Sequence, residues 1–161
     1  MSIWELQIDA LMRLCTAEEE SERMQARQEI RRMLDNQTVP KRSADPEYLT
    51  RELMLELGAP DHLVGHPYVV QAVLLVAQNR KYIDNISFML YPRLAVIFET
   101  TPSRVERSIR NLIEFTWNRS DSEVLNRYFG NTVSADRGKP TNGEFLARLA
   151  SIVSLRMQES A

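Results

Sequence analysis

The sequence predicts an all-α protein, with helices over nearly its whole length. Three observations lead to this fold class. Apolar residues recur at spacings of three and four, as on the buried stripe of an amphipathic helix. Several of these segments open with a capping box, in which Ser or Thr precedes Glu by three residues. No segment carries the pattern of a β-strand.

Residues 1–46 are predicted to form an N-terminal appendage built from a helical hairpin and a linker. Its segments in order are a helix at 2–15, a helix at 16–34 and a linker at 36–45. Thr16 and Glu19 form the capping box of the second helix. The linker contains Pro40 with neighbouring polar and basic residues, a composition typical of a loop.

Two further helices are predicted near residues 47–57 and 67–79, separated by a loop containing Gly58, Pro60 and Gly65. The second of these helices is apolar on most of its sides. Because a helix that is hydrophobic all round is normally buried, we expect it at the centre of the domain.

A helix-turn-helix is predicted between about Tyr91 and Asn111. In such a unit the first helix carries a small residue where the two helices cross. Ala95 has that position, with Leu94 and Phe98 as apolar neighbours. The pattern is typical of a unit that reads DNA.

The second helix of this unit has two possible starts. Thr101 before Pro102 would supply an N-cap followed by proline at the first helical position. Ser103 with Glu106 three residues later would form a capping box instead. The helix is therefore predicted to cover about residues 102–117.

The spacing along this helix divides it into two faces. Four residues share the core-facing side: Val105, Ile109, Leu112 and Thr116. Four lie opposite: Arg104, Arg107, Ser108 and Asn111. Arginine suits the major groove because its planar fork can donate two hydrogen bonds to guanine, and Glu106 beside this face could accept from cytosine. The alternative is an ordinary solvated face of an amphipathic helix.

Two more helices complete the chain. Ser120 and Glu123 predict a capping box for a short helix that ends at Gly130, and Thr141 and Glu144 predict one for the last helix. Trp117 stands at helical spacing from Ile113, which predicts a core position.

The loop between these last two helices is polar and partly basic. Arg137 and Lys139 flank Gly138, which permits close approach of the backbone. These two cations could hold phosphates beside the groove, or could be solvated loop charges.

Charge is unevenly distributed along the 161 residues. Residues 1–60 carry 8 Lys and Arg against 12 Asp and Glu, whereas residues 61–161 carry 12 against 10. The basic excess thus lies with the DNA-binding motif. It is modest, so the clustering of Arg104, Arg107 and Arg110 matters more than the total.

Several other classes of protein are disfavoured. The single cysteine, Cys15, is expected to be a packing residue, because no His or Asp constellation accompanies it. His62 and His66 have the spacing of paired metal ligands, but Gly65 and Pro67 interrupt them. We expect no metal, no cofactor and no enzymatic activity. No apolar run could cross a bilayer, and the N-terminus lacks the basic-then-apolar pattern of a signal peptide, which predicts a cytoplasmic protein without membrane contact.

A series of short motifs follows one order from about Tyr48 to the end of the chain: LGAP at 57–60, Gly65, Tyr68, LYP at 90–92, TPSRVERSIR at 101–110, WNR at 117–119, FG at 129–130 and KPTNGEF at 139–145. On these motifs the chain resembles the C-terminal effector domain of the sporulation stage zero protein A family, which initiates sporulation. The resemblance covers roughly 114 of the 161 residues.

The resemblance implies a six-helix effector domain, here at residues 47–161, that regulates transcription by binding a DNA box containing TGTCGAA. It places base contacts at Arg104, Glu106 and Arg107. We add Ser103, Ser108, Arg110, Asn111, Arg137 and Lys139 as candidate DNA-binding residues. Family members normally carry a phosphorylated receiver domain, and the helical residues 1–46 cannot form that α/β fold.

The role of the N-terminal hairpin remains open among packing on the effector domain, self-association and binding another protein. Our first hypothesis is that it forms a homodimer on double-stranded DNA. The alternative function is a protein-interaction module that binds a regulator or the RNA polymerase sigma factor without reading DNA. The resemblance implies a sigma-contacting surface at residues 115–128, where Glu123, Asn126 and Arg127 are expected to be exposed.

Overall fold

The computed structural model describes residues 20–36, 45–130, 132–133 and 138–160. The chain divides into two compact units, residues 1–41 and 42–161. Within the first unit the structure describes one helix, α1 (Glu20–Asn36). The predicted helix at 2–15, Cys15, the cap at Thr16 and most of the linker lie outside the described residues. The predicted domain boundary after residue 46 stays a prediction.

The described part of the second unit is entirely helical. Its elements are α2 (Pro46–Glu56), α3 (Gly65–Gln78), α4 (Lys81–Asp84), a π-helix (Ile86–Leu90), α5 (Tyr91–Ile97), α6 (Pro102–Arg119), α7 (Ser122–Phe129) and α8 (Asn142–Glu159). Counting α4, the π-helix and α5 as one interrupted segment gives the six expected helices. The prediction of an all-α fold is confirmed.

Helix α3 lies at the centre of this unit, as its apolar composition predicts. Nine of its 14 residues are buried, and it packs against α2, α6 and α8. Valines and other short side chains on α3 allow three helices to approach it on different sides. The position of α6, which carries the candidate site, is therefore set mainly by α3.

Helices α3 and α6 approach each other very closely at Gly65, the first residue of α3. A β-carbon built there would lie 2.2 Å from the backbone oxygen of Ser108 and 3.1 Å from the β-carbon of Leu112. No side chain fits in that space, so glycine is required by helix packing. The sequence pattern had indicated only a loop residue at this position.

Two of the predicted helix starts are confirmed and one is wrong. The hydroxyl of Thr101 accepts from the backbone N–H of Arg104 at 3.3 Å, with Pro102 at the first helical position. Thr141 and Glu144 form a complete capping box.

The predicted capping box of Ser120 and Glu123 does not form. The carboxylate of Asp121 instead accepts from the backbone N–H of Glu123 at 2.8 Å and caps α7. The hydroxyl of Ser120 donates to the backbone oxygen of Leu57, which follows α2. Because this long-range hydrogen bond uses the Ser120 hydroxyl, Ser120 does not cap α7. The helix therefore begins one residue later than predicted.

Aromatic rings join the last three helices. The ring of Trp117 meets those of Phe129 and Phe145 edge-on, with centroids 5.1 and 6.1 Å away, and Phe129 stacks on Phe145 at 5.5 Å. Phe129 and Phe145 are buried, and Trp117 packs against the core while half-buried. The predicted core role of Trp117 agrees with this packing.

A polar cluster ties α8 to α2 and α7. The guanidinium of Arg156 donates to both carboxylate oxygens of Glu56, at 3.1 and 3.0 Å, and to the hydroxyl oxygen of Tyr128 at 3.1 Å. Tyr128 donates its own proton to Glu56. The hydrogen bond from Arg156 lowers the pKa of Glu56, because it favours the charged form of the carboxyl group.

Replacing Gly65 with Ala is expected to lower the free energy of unfolding by about 1–3 kcal/mol, the usual effect of overpacking. The added methyl group would force α3 away from the Ser108 carbonyl. Gly143→Ala is the matched control, because its β-carbon would meet only the Ile86 side chain, at 4.0 Å. Urea-induced unfolding measures both variants. Equal stability of the two would contradict the packing requirement at Gly65.

Acid should weaken the fold through Glu56. The folded-state pKa of this carboxyl lies below its ordinary value of 4.5, so the unfolded chain binds more protons below that pH. The stabilisation is present above about pH 4.5 and is lost as pH falls through the folded pKa. Because the Glu56 side chain is 37% exposed, its size is at most about 1 kcal/mol.

The expected result is a shallower acid dependence of unfolding free energy in Glu56→Gln than in the wild type, between pH 3 and 5. Buried His66, whose pKa is lowered by burial from an ordinary value of 6.5, is present in both proteins. Its contribution to the pH dependence therefore cancels in the comparison. If the curves of unfolding free energy against pH are parallel for the two proteins below pH 4.5, Glu56 is not the acid-sensitive group.

Candidate nucleic-acid interface

The predicted helix-turn-helix is formed by α5, a turn at residues 98–101 and α6. Leu94 and Ala95 of α5 are buried against the core, and Phe98 is half-buried after them. Val105 is fully buried on the α6 side. Ala95 is thus a small buried residue of α5, and α5 packs against α6.

The turn itself contains a residue that the sequence analysis missed. Glu99 has a left-handed backbone with φ of 50°. The backbone N–H of Thr100 donates to the backbone oxygen of Ala95 at 2.9 Å, and the N–H of Glu99 donates to the backbone oxygen of Val96 at 3.4 Å. These two bonds form a Schellman motif, whose left-handed position is usually glycine. Because this position is occupied by Glu and not by Gly, the residue type did not indicate the turn geometry.

Helix α6 separates a buried face from an exposed one. Its buried residues are Val105, Ile109, Leu112, Ile113 and Thr116. Five candidate DNA-binding residues are exposed: Ser103, Arg104, Arg107, Arg110 and Asn111. Ser108 is half-buried rather than fully turned outward, because its turn of α6 lies against the start of α3 at Gly65.

The arginines on the exposed face differ in their surroundings. Within the described residues, the guanidinium groups of Arg104 and Arg107 have no ion-pair or hydrogen-bond partner. Arg110 forms an ion pair with Glu106 one turn earlier, with 62% and 30% of the two side chains exposed. Two cations are therefore free to contact another molecule, and the third is engaged within the helix.

The segment before α8 lies beside α6. Lys139 is exposed and follows Gly138, whose φ is 65°. Lys139, Arg110 and Glu106 line a shared open depression of about 570 Å³. The structure thus brings Lys139 next to the arginine-bearing helix, whereas Arg137 lies outside the described residues.

A polar bridge at the floor of this depression was also missed by the sequence analysis. The side-chain amide of Asn142 donates to the backbone oxygen of Glu106 and to the hydroxyl oxygen of Tyr91, both at 3.0 Å. Tyr91 is buried, and burial raises the pKa of its phenol. Only the position of Asn142 directly after the cap at Thr141 distinguished it in the sequence.

No group of three His, Cys, Asp or Glu residues in the described part of the chain could hold a metal ion. None of the helices described is both long and apolar enough to cross a membrane.

Comparison with known families agrees with this geometry. A family model described as the C-terminal domain of sporulation initiation factor Spo0A matches residues 50–153. The match includes α3, the complete helix-turn-helix and most of α8, and it spans more than half of the chain. This family is one of DNA-binding transcription regulators and not of enzymes. The chain therefore belongs to the family of the Spo0A C-terminal domain, the DNA-binding domain of sporulation regulators.

Proposed function

We propose that this chain is a sequence-specific regulator of sporulation initiation that reads a TGTCGAA-like box through α6. The observation that carries the proposal is the pair Arg104 and Arg107. They are exposed one turn apart on a helix whose other face is buried, and no described residue neutralises them. A rigid helix that presents free arginine forks suits recognition of guanine in the major groove.

Within this proposal, Glu106 and Arg110 exchange partners on binding. Glu106 would accept a hydrogen bond from the amino group of a cytosine, the base that pairs with guanine in the box. It would then release Arg110, whose guanidinium could contact a phosphate. The ion pair holds the two side chains together in the free protein, and its release costs little because the Arg110 side chain is 62% exposed.

The remaining candidates are proposed to contact the DNA backbone. Ser103 lies in the first turn of α6, where backbone N–H groups also attract phosphate. Lys139 approaches from the loop before α8. Ser108, Asn111 and Arg137 complete the set as polar or cationic contacts. Such contacts set the position of the helix on the duplex, whereas Arg104, Glu106 and Arg107 determine sequence preference.

We also propose a partner on DNA and a site of action. A homodimer on adjacent boxes would gain affinity through effective concentration, and residues 1–46 are its proposed dimerisation segment. The site of action would be the cytoplasm, where bacterial DNA lies.

The second candidate function, binding of a regulator or sigma factor without DNA reading, is favoured by one observation. Phe115 on α6 is 51% exposed, and Glu123, Asn126 and Arg127 on α7 are exposed beyond it. An exposed aromatic residue with charged neighbours is a common centre of a protein interface.

Arg107→Ala is expected to weaken binding to a duplex carrying TGTCGAA by about 1–3 kcal/mol, with much less effect on a scrambled duplex. Fluorescence anisotropy at two salt concentrations measures both affinities. Arg119→Ala is the matched control, since it removes the same charge from the exposed far end of the same helix and should affect both duplexes equally.

Equal weak binding of the wild type to box and scrambled duplexes would overturn direct reading of the box. In that case the exposed surface around Phe115 becomes the place to seek a protein partner. If Arg119→Ala reduces preference as much as Arg107→Ala does, the effect is one of general charge and not of base recognition.

Lys139→Ala is expected to weaken binding to both duplexes by a similar factor and to reduce the slope of log affinity against log salt by about 1. The reason is the loss of one phosphate contact and its released counterion. Lys81→Ala, which removes an exposed lysine from α4, is the control and should leave the slope unchanged. An unchanged slope in Lys139→Ala would exclude the phosphate contact.

A further inference from the structure

The start of α8 is joined to both helices of the helix-turn-helix by one side chain. Asn142 donates from a single amide nitrogen to α6, at the backbone oxygen of Glu106, and to α5, at the hydroxyl oxygen of Tyr91. These partners are 36 and 51 residues away in sequence. We propose that Asn142 is a positioning residue for DNA reading, which holds the start of α6 in register with Lys139. The proposal rests on the function proposed above.

The orientation of the Asn142 amide is determined by chemistry. A backbone oxygen can only accept, so the group facing Glu106 must be the NH₂ and not the oxygen of the side chain. Both hydrogens of that NH₂ are then used, one on each partner. This leaves no rotation about the side chain that keeps both bonds, and the three helices are held in one arrangement.

The bridge acts where the candidate base contacts lie. Glu106 stands between Arg104 and Arg107, so its backbone oxygen is within two residues of both. The same residue carries the carboxylate paired with Arg110. A shift of the backbone at Glu106 would move all of these side chains together, which is how a residue without DNA contact could alter sequence preference.

At the start of α6 the Asn142 bond to Glu106 adds to one buried apolar side chain, that of Val105. Val105 is the first buried residue of the helix, so the turn before it is attached by the Thr101 cap and not by packing. Helix α8, in contrast, is anchored independently by the buried residues Phe145, Leu146 and Leu149. Loss of the amide should therefore loosen the register between α6 and the Lys139 segment while α8 stays in place.

The test compares Asn142→Ala with the wild type on box and scrambled duplexes, well below the unfolding temperature and with the active fraction measured by titration. We expect the ratio of the two affinities to fall by about tenfold, within the range carried by one bidentate base contact. Thr141→Ala is the matched control, because it removes the adjacent N-cap and lowers stability while leaving the amide of Asn142 intact. Its affinity ratio should stay close to that of the wild type.

A second comparison separates positioning from direct contact. If Asn142 acts through α6, its removal in an Arg107→Ala background should produce a smaller further loss of preference than in the wild type, because part of its effect passes through Arg107 and coupled residues are not additive. Fully additive losses would mean that Asn142 acts independently of Arg107, which contradicts the proposal.

The outcomes distinguish this proposal from the proposed function. A wild type that prefers the box, with an equal preference in Asn142→Ala, overturns the positioning role alone. Equal losses in Asn142→Ala and Thr141→Ala reduce the effect to stability and also overturn it. A wild type without any preference for the box overturns the proposed function first, and the positioning role with it.

Discussion

The contact between α3 and α6 is the constraint on which the rest of this domain depends. Helix α3 begins at a glycine, so the backbone of α6 can approach it directly at Ser108. Packing against α3, α5 and α8 buries one side of α6 and leaves the other side to solvent. Arg104 and Arg107 are thus exposed because core packing buries the opposite side of their helix.

Polar groups set the finer geometry around this core. The caps at Thr101 and Thr141 determine where α6 and α8 begin, and the amide of Asn142 connects those two starts. At the other end of α8, Arg156 connects it to α2 and α7 through Glu56. Because most of these bonds end on backbone atoms or are bidentate, they specify position more strictly than apolar contacts do.

The elements and faces predicted from sequence agree with the structure where short-range chemistry decides them. Pro102 after Thr101 marked the start of α6, and the spacing of Val105, Ile109 and Leu112 identified its buried side. The prediction failed at Ser120 because the hydroxyl of that residue bonds to Leu57, 63 residues away. It missed Glu99 because the left-handed position of the turn is held by a residue type that does not signal it.

The sequence by itself determined the helical class, the order of the helices and the arginine-bearing face of α6, since periodicity and capping act over a few residues. Three features were determined only by the tertiary structure. They are the lack of room for a side chain at Gly65, the residue that caps α7, and the position of Lys139 and Asn142 beside Glu106. These features join residues tens of positions apart, and no local pattern records such distances. Their physical basis is the packing of α3, α6 and α8, which exists only once the chain has folded.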